Sequence, residues 1–267
     1  MRSRVLVTGA VGGLGKAFAA ECAARGWDLL VTDRDPDRLR ELAEGLRRMG
    51  GVEVLALAAD LACPADRDRF WQEAEAEGVR LFMAINVAGL DFEGPFGERT
   101  CEELCTIVRV NVEATVAMTR AALPFRDPMR TFRIINVSSL AGFQPMPVKA
   151  TYAASKRFLL DFSIALDREL RGSGVRVLAL CPAGLPSNAA LVRAIEAQGL
   201  AGRLTTLNVG TVAARTLDRS LRGKTVYVPG LGGRLVGYMG RIAPPSLSAF
   251  LVGRRWQKAR AGRELAS

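Results

Sequence analysis

The sequence predicts a single-domain α/β protein, a doubly wound parallel sheet with helices on both faces. Three observations predict it. Short apolar runs alternate with helical patterns along most of the chain. A glycine-rich turn, Gly9-Ala10-Val11-Gly12-Gly13-Leu14-Gly15, joins the first apolar run to the first helix. The length of 267 residues, 49% hydrophobic and 24% charged, fills one substantial core and is too short to need two.

Arg4 to Thr8 reads as the first strand, and a helix runs from Gly13 to about Arg25, where Gly26 stops it. Asp28 to Thr32 is the second strand. Leu39, Leu42 and Leu46 mark a helix over Arg38 to Met49, and Val52 to Ala58 is the third strand. Leu81 to Val87 and Phe132 to Val137 are buried strands on either side of a long helix from Cys101 to Phe125. Ala150 to Arg171 is a helix, Val175 to Cys181 a sixth strand, and Thr225 to Val228 a short edge strand. Right-handed crossovers put ligands at the carboxyl ends of the strands. The loops after Thr8, Thr32, Ala59, Asn86, Val137 and Cys181 should therefore line one crevice.

Composition removes several chemistries. With no histidine in the chain, a His-liganded metal and a Ser-His-Asp triad are both excluded. Cys101 and Cys105 lack the further cysteines of a thiolate zinc site, so no metal is expected. The five cysteines are scattered without a C-x-x-C pair, and no signal-peptide pattern precedes the first strand. A reducing cytoplasm is the expected location. Acid/base work falls to Tyr, Lys, Cys or a carboxylate. The net charge of +10 is concentrated at the end, where residues 234–267 carry seven basic residues against one acid. No zinc-finger spacing, helix-turn-helix signature or aromatic stacking motif accompanies it, so nucleic acid is not an expected partner. Apolar runs are broken by charge before about 18 residues, too short for a spanning helix.

Glycines permit a tight turn and close approach of a pyrophosphate, which the amides at a helix N-terminus then face. Asp33, at the end of the second strand, can accept from ribose hydroxyls and would repel a 2′-phosphate, favouring NAD over NADP. Arg34 beside it is the counter-signal, since a guanidinium pairs with phosphate. A plain cap for the next helix is the other reading of Asp33. Tyr152-Ala153-Ala154-Ser155-Lys156 places a phenol and an ammonium on one helix face. Lowering a phenol pKa from about 10 by roughly three units takes about 4 kcal/mol of preferential phenolate stabilisation. A neighbouring Lys156 ammonium and the positive ring of an oxidised nicotinamide would supply it. Alone, such a pair is more often a surface coincidence, and Asn111 within its helix would more often face solvent.

The chain resembles the short-chain dehydrogenase/reductase family over about residues 2 to 230, and a Rossmann-like sheet is what that resemblance implies. The turn spacing Gly9-x-x-x-Gly13-Leu14-Gly15 is similar to the family's cofactor turn. Asn111, Ser139, Tyr152 and Lys156 match its catalytic tetrad in order and interval. That interval selects Ser139 over Ser138. By resemblance, Tyr152 is the acid/base, Ser139 holds the substrate oxygen, Lys156 binds the cofactor ribose, and Asn111 opens its helix locally and supports a proton relay through water. Asp60-Leu61 resembles the adenine-contacting pair. Asn86-Val87-Ala88-Gly89 resembles the N-N-A-G element that steadies the sheet centre and borders the cofactor, with Val87 its one departure. Gly12 stands where NADP-using relatives often carry a basic residue, which again favours NAD. Pro182-Ala183-Gly184-Leu185-Pro186-Ser187 resembles P-G-x-V-x-T, so Pro182, Leu185 and Ser187 are expected at the nicotinamide. Ala183 and Ser187 depart from that pattern.

The substrate side, from Pro186 to Leu207 and through Phe143, Gln144 and Met146, is apolar enough to expect a lipophilic alcohol or ketone, steroid and acyl-chain types included, with Gln144 at the substrate. The expected function is NAD(P)-dependent interconversion of a secondary alcohol and a ketone. A catalytically silent dinucleotide sensor or scaffold is the alternative, against which the intact tetrad argues. Residues 1–233 read as the dinucleotide-binding and catalytic domain and 234–267 as its basic, apolar extension. That extension is expected to pack on a partner subunit, in a homodimer or homotetramer, or over the substrate pocket. Peripheral contact with an anionic membrane surface is the other reading.

Overall fold

The computed structural model describes residues 3–184 and 208–264, with side chains described as far as residue 254. The first half alternates β1 (Arg4–Thr8), α1 (Gly13–Ala24), β2 (Leu29–Thr32), α2 (Pro36–Gly50), β3 (Val54–Ala56), α3 (Pro64–Ala76) and β4 (Leu81–Asn86). Then come α4 (Cys101–Val108), α5 (Ala114–Ala122), β5 (Phe132–Val137), α6 (Ala150–Leu170) and β6 (Val175–Leu180). The described chain ends with α7 (Val209–Leu221), β7 (Val226–Tyr227), α8 (Leu231–Ile242) and α9 (Pro245–Glu264). The seven strands lie in the order β3-β2-β1-β4-β5-β6-β7, and every neighbouring pair is parallel.

Successive strand side chains point to opposite faces, so the sheet makes two apolar layers. Val5, Val7, Leu29 and Met83 meet Phe18, Leu39 and Leu217 of α1, α2 and α7. Leu6, Leu30, Ala84 and Ile134 meet Phe70, Trp71 and Met118 of α3 and α5. Local chemistry sets the boundaries. Gly26, at φ 71°, turns the chain after α1. Asp35 caps α2 by accepting from the Arg38 amide, with Pro36 at the first helical position. Thr100 and Glu103 form a reciprocal capping box on α4. Strand β1 pairs with β2 on one side and β4 on the other, so the winding direction reverses there and a crevice opens at the carboxyl ends.

Two expected elements need correction. The third strand spans Val54–Ala56 and not 52–58. The helix expected from Cys101 to Phe125 is divided. A π-helical turn over Arg109–Glu113 separates α4 from α5, and a 3₁₀ turn around Pro124 closes the run. The cause of the π turn is non-local: Asn111 at its centre is drawn to the loop after β4, as described below. At the other end of the chain, α8 packs on the Leu140–Phe143 turn through glycines. A Cβ at Gly237 would stand 3.6 Å from the Phe143 ring, and one at Gly240 3.1 Å from the Phe143 carbonyl. The tail thus lies over the segment that follows Ser139.

Candidate active site

The glycine turn is built for close approach. Gly9 has φ 62°, and a Cβ on it would meet the Ala88 backbone at 2.8 Å. A Cβ on Gly15 would stand 2.0 Å from the Gly9 carbonyl oxygen. Gly13, Leu14 and Gly15 form the first turn of α1, whose N-cap, Gly12, carries no side chain to occupy the free amides. These features fit a pyrophosphate. Replacing Gly15 with Ala should lower stability by about 2–4 kcal/mol and weaken dinucleotide binding at least tenfold, since the turn must open. Urea unfolding and a dinucleotide titration measure both; unchanged values would show that the turn tolerates a side chain.

Asp33 reaches toward this turn. Its Oδ2 accepts from the Val11 amide at 3.1 Å and its Oδ1 from the Arg34 amide at 2.8 Å. Asp35, and not Asp33, caps α2, which removes the capping reading of Asp33. Arg34 is exposed. Asp60 is exposed beyond β3 with Oδ1 accepting from the Ala62 amide, while Leu61 is buried. Asn86 points into the sheet, donating to Thr119 Oγ1 and Asn136 Oδ1, and so braces β4 against β5 and α5. Thr8 Oγ1 accepts from the amides of Val87 and Ala88, holding that loop beside the glycine turn. Pro182 lies at the crevice, its carbonyl accepting from the Leu140 amide. Leu185 and Ser187 lie outside the described residues.

The structure brings the four tetrad residues together. Ser139 ends the loop after β5, and its Oγ accepts from the Ala141 amide. The Ser139 side chain is close enough to the Tyr152 phenol to act on it, favouring a lower pKa. Ser138 is directed elsewhere: buried, it donates to the Lys156 carbonyl at 2.6 Å. Lys156 Nζ donates to the Val137 carbonyl at 3.0 Å and lies 5.7 Å from the centre of the Tyr152 ring. Asn111 is fully buried, unlike the solvent-facing amide that its helical setting favours. Its Nδ2 donates to the Leu90 carbonyl and to Ser155 Oγ, and its Oδ1 accepts from the Leu90 amide. It therefore ties the loop after β4 to α6, one turn from Tyr152. Gly89 sits where a Cβ would come within 3.1 Å of both Asn111 Oδ1 and Lys156 Nζ. Gln144 is half-buried after the Leu140–Phe143 turn.

Burial governs the electrostatics. It raises the Tyr152 phenol above its ordinary pKa, against lowering by the Ser139 hydrogen bond and the Lys149 charge and with a further rise from Asp91. In the chain alone, loss of hydration therefore outweighs the Lys149 charge. Lys156 itself is lowered to about 8 by burial, with Asp91 and Cys181 opposing.

One charged cluster escaped the sequence reading. Lys149 Nζ pairs with Asp91 at 2.6 Å and Glu93 at 2.8 Å, and it stands 5.7 Å from the centre of the Tyr152 ring. Two acids flanking Phe92, just past the N-A-G-like loop, were the only signal. Next to them a small recess of about 30 Å³ is walled by Phe92, Phe96, Leu104, Ile107, Val148 and Tyr152. Val148 adopts φ 61°, a conformation that β-branched residues avoid.

A doubly wound sheet with a glycine turn at its switch point defines a Rossmann-like dinucleotide-binding protein. The chain belongs to the short chain dehydrogenase family, whose model matches residues 3–196. Over 90% of its length it superposes on a short-chain dehydrogenase from Sphingobium yanoikuyae solved with NADPH, covering 96% of that chain at 31% identity and a TM-score of 0.73. A bulky-bulky ketone specific alcohol dehydrogenase from Comamonas testosteroni is similar over 98% of this chain and 92% of its own, at 25% identity and a TM-score of 0.74. A very-long-chain 3-oxoacyl-CoA reductase of Pyrenophora tritici-repentis is 34% identical over 64% of this chain. The chain spans about half the length of such curated relatives, 52% in that case.

Proposed function

We propose that the chain is an NAD(P)-dependent oxidoreductase that interconverts a secondary alcohol and a ketone on a lipophilic substrate, with Tyr152 as acid/base. The observation that carries this reading is the buried Lys156 ammonium 5.7 Å from the centre of the Tyr152 ring, with the Ser139 side chain close enough to the phenol to favour a lower pKa. The bound nicotinamide would supply or accept the hydride. Gly9, Gly13, Leu14 and Gly15 would hold its pyrophosphate, Asp33 its adenosine ribose, and Lys156 its second ribose. In reduction Tyr152 gives its proton to the nascent alkoxide, which Ser139 positions; in oxidation it takes the proton back. A phenol held protonated by burial is ready for the reductive direction. The ketone and oxoacyl relatives support a bulky or acyl-chain carbonyl, and so a lipophilic substrate. NAD is favoured, because Asp33 faces the turn with its carboxylate fixed by two amides and would repel a 2′-phosphate.

The test is absorbance of the reduced nicotinamide with NADH and NADPH in parallel, against lipophilic ketones. Turnover with NADH ahead of NADPH is expected. The kcat/KM of reduction should be flat at neutral pH and fall about tenfold per unit above pH 8. Lys156 is charged below that value and neutral above it, while Tyr152 keeps its proton throughout. A profile flat to about pH 10 would remove Lys156 from this role. Cofactor binding with no turnover across a broad panel would leave a dinucleotide sensor.

A further inference from the structure

Helix α8 has two unlike faces. Gly233, Gly237 and Gly240 share the side that packs on Leu140 and Phe143. The opposite side presents Leu231 (81% exposed), Leu235, Tyr238 (65%), Met239 and Ile242 (64%), which recur at helical spacing. Leu247, Phe250 and Leu251 of α9 are likewise exposed. These large side chains follow one another along two consecutive helices, and such concentrations mark contact surfaces.

The charges beside them are nearly all of one sign. Arg234 borders the apolar side of α8 and lines a cleft of about 350 Å³ with Arg215, Arg219 and Arg222, while Arg241 lies over the Phe143 ring at 5.1 Å. The carboxylate on its wall, Asp218, is paired with Arg25 at 3.0 Å. Leu231 lines the same cleft, so the arginine pocket opens directly onto the apolar side. Downstream, the sequence adds Arg254, Arg255, Lys258, Arg260 and Arg263 against Glu264.

We propose that α8 and α9 rest on the surface of an anionic phospholipid bilayer, their apolar side chains among the upper acyl segments and the arginine cleft holding lipid phosphates. A second copy of this chain is the competing occupant, and charge argues against it: a symmetric contact would bring together two surfaces rich in arginine and so of the same sign. No helix among the described residues is long and apolar enough to cross a membrane, which fits contact in the plane of the surface. The proposal does not depend on the reaction assigned above. It would place the segment covering the Ser139 loop at a lipid surface.

The experiment is co-sedimentation of the full chain with phosphatidylcholine vesicles and with vesicles of phosphatidylcholine and phosphatidylglycerol in equal parts, with sedimentation velocity in parallel. Binding to the anionic vesicles alone is expected, falling as salt is added. Arg222→Gln with Arg234→Gln should weaken it roughly thirtyfold, at about 1 kcal/mol per arginine near such a surface. Leu235→Asp with Tyr238→Asp should abolish it. Melting temperature identifies a variant that fails to fold; the arginine pair is exposed and leaves the core untouched. Equal binding to both vesicle types, binding to neither, or a dimer that Leu235→Asp dissociates would each overturn the proposal.

Discussion

Tyr152→Phe should lower turnover by roughly 10²–10⁴-fold, the usual contribution of a positioned acid or base, while dinucleotide affinity stays within about twofold. The substitution removes one oxygen and keeps the ring that lies between Lys149 and Lys156. Ser139 retains its contact with the Ala141 amide, so the neighbouring turn keeps its shape. Loss confined to kcat, with melting temperature unchanged, would mark the hydroxyl as a chemical group and not a packing one. A variant that kept most of its activity would pass the proton to some other group and end the assignment.

The second large effect is on stability. Asp167 of α6 is fully buried. It accepts from Arg176 Nε at 2.9 Å, from the Val177 amide at 3.0 Å, from Arg171 at 2.6 Å and from Thr225 at 3.0 Å. One carboxylate thus joins α6 to β6 and to the entry of β7. Burial alone would raise its pKa, but these four donors hold it well below the usual carboxylate range. Asp167→Ala should cost about 3–5 kcal/mol, because it strands two guanidinium groups and a buried amide. Its sign with pH follows from the depressed value. The contribution is complete above the unfolded pKa of about 4 and is lost as pH falls further, since the unfolded chain then binds the proton first. Urea unfolding at neutral and at acid pH should show the gap between variant and parent narrowing in acid. A gap under about 1 kcal/mol at neutral pH would mean that the contacts are redundant.

The strands were legible because a parallel sheet buried on both faces needs continuous apolar runs, and Val5-Leu6-Val7 or Phe82-Met83-Ala84-Ile85 can be little else. The glycine turn and the Tyr152/Lys156 pair were legible because their spacing is local. What escaped depends on partners distant in sequence. The opening of the helix at Asn111 was implied by the family resemblance alone; the amide's grip on the backbone of Leu90, 21 positions away, is encoded by no helical pattern. Lys149 meets Asp91 across 58 positions. Ser139 was separated from Ser138 by the family's interval to Tyr152, but that Ser138 turns to the Lys156 carbonyl was not legible. The rise of the phenol's pKa in the chain alone was not legible, because hydration loss is a property of the packed pocket and not of the motif. Helix α7 was not anticipated, although Asn208 caps it by accepting from Gly210 and Thr211, a signal that the sequence contained.

Lys156 is held to the end of β5 at both extremities: its ammonium by the Val137 carbonyl, its own carbonyl by Ser138. A local opening of α6 would have to break both contacts together with the Asp167 junction. Lys156 and the neighbouring Tyr152 are therefore expected to be among the last parts of the molecule to come apart. Thermal loss of this arrangement is therefore expected to coincide with the collapse of the sheet itself.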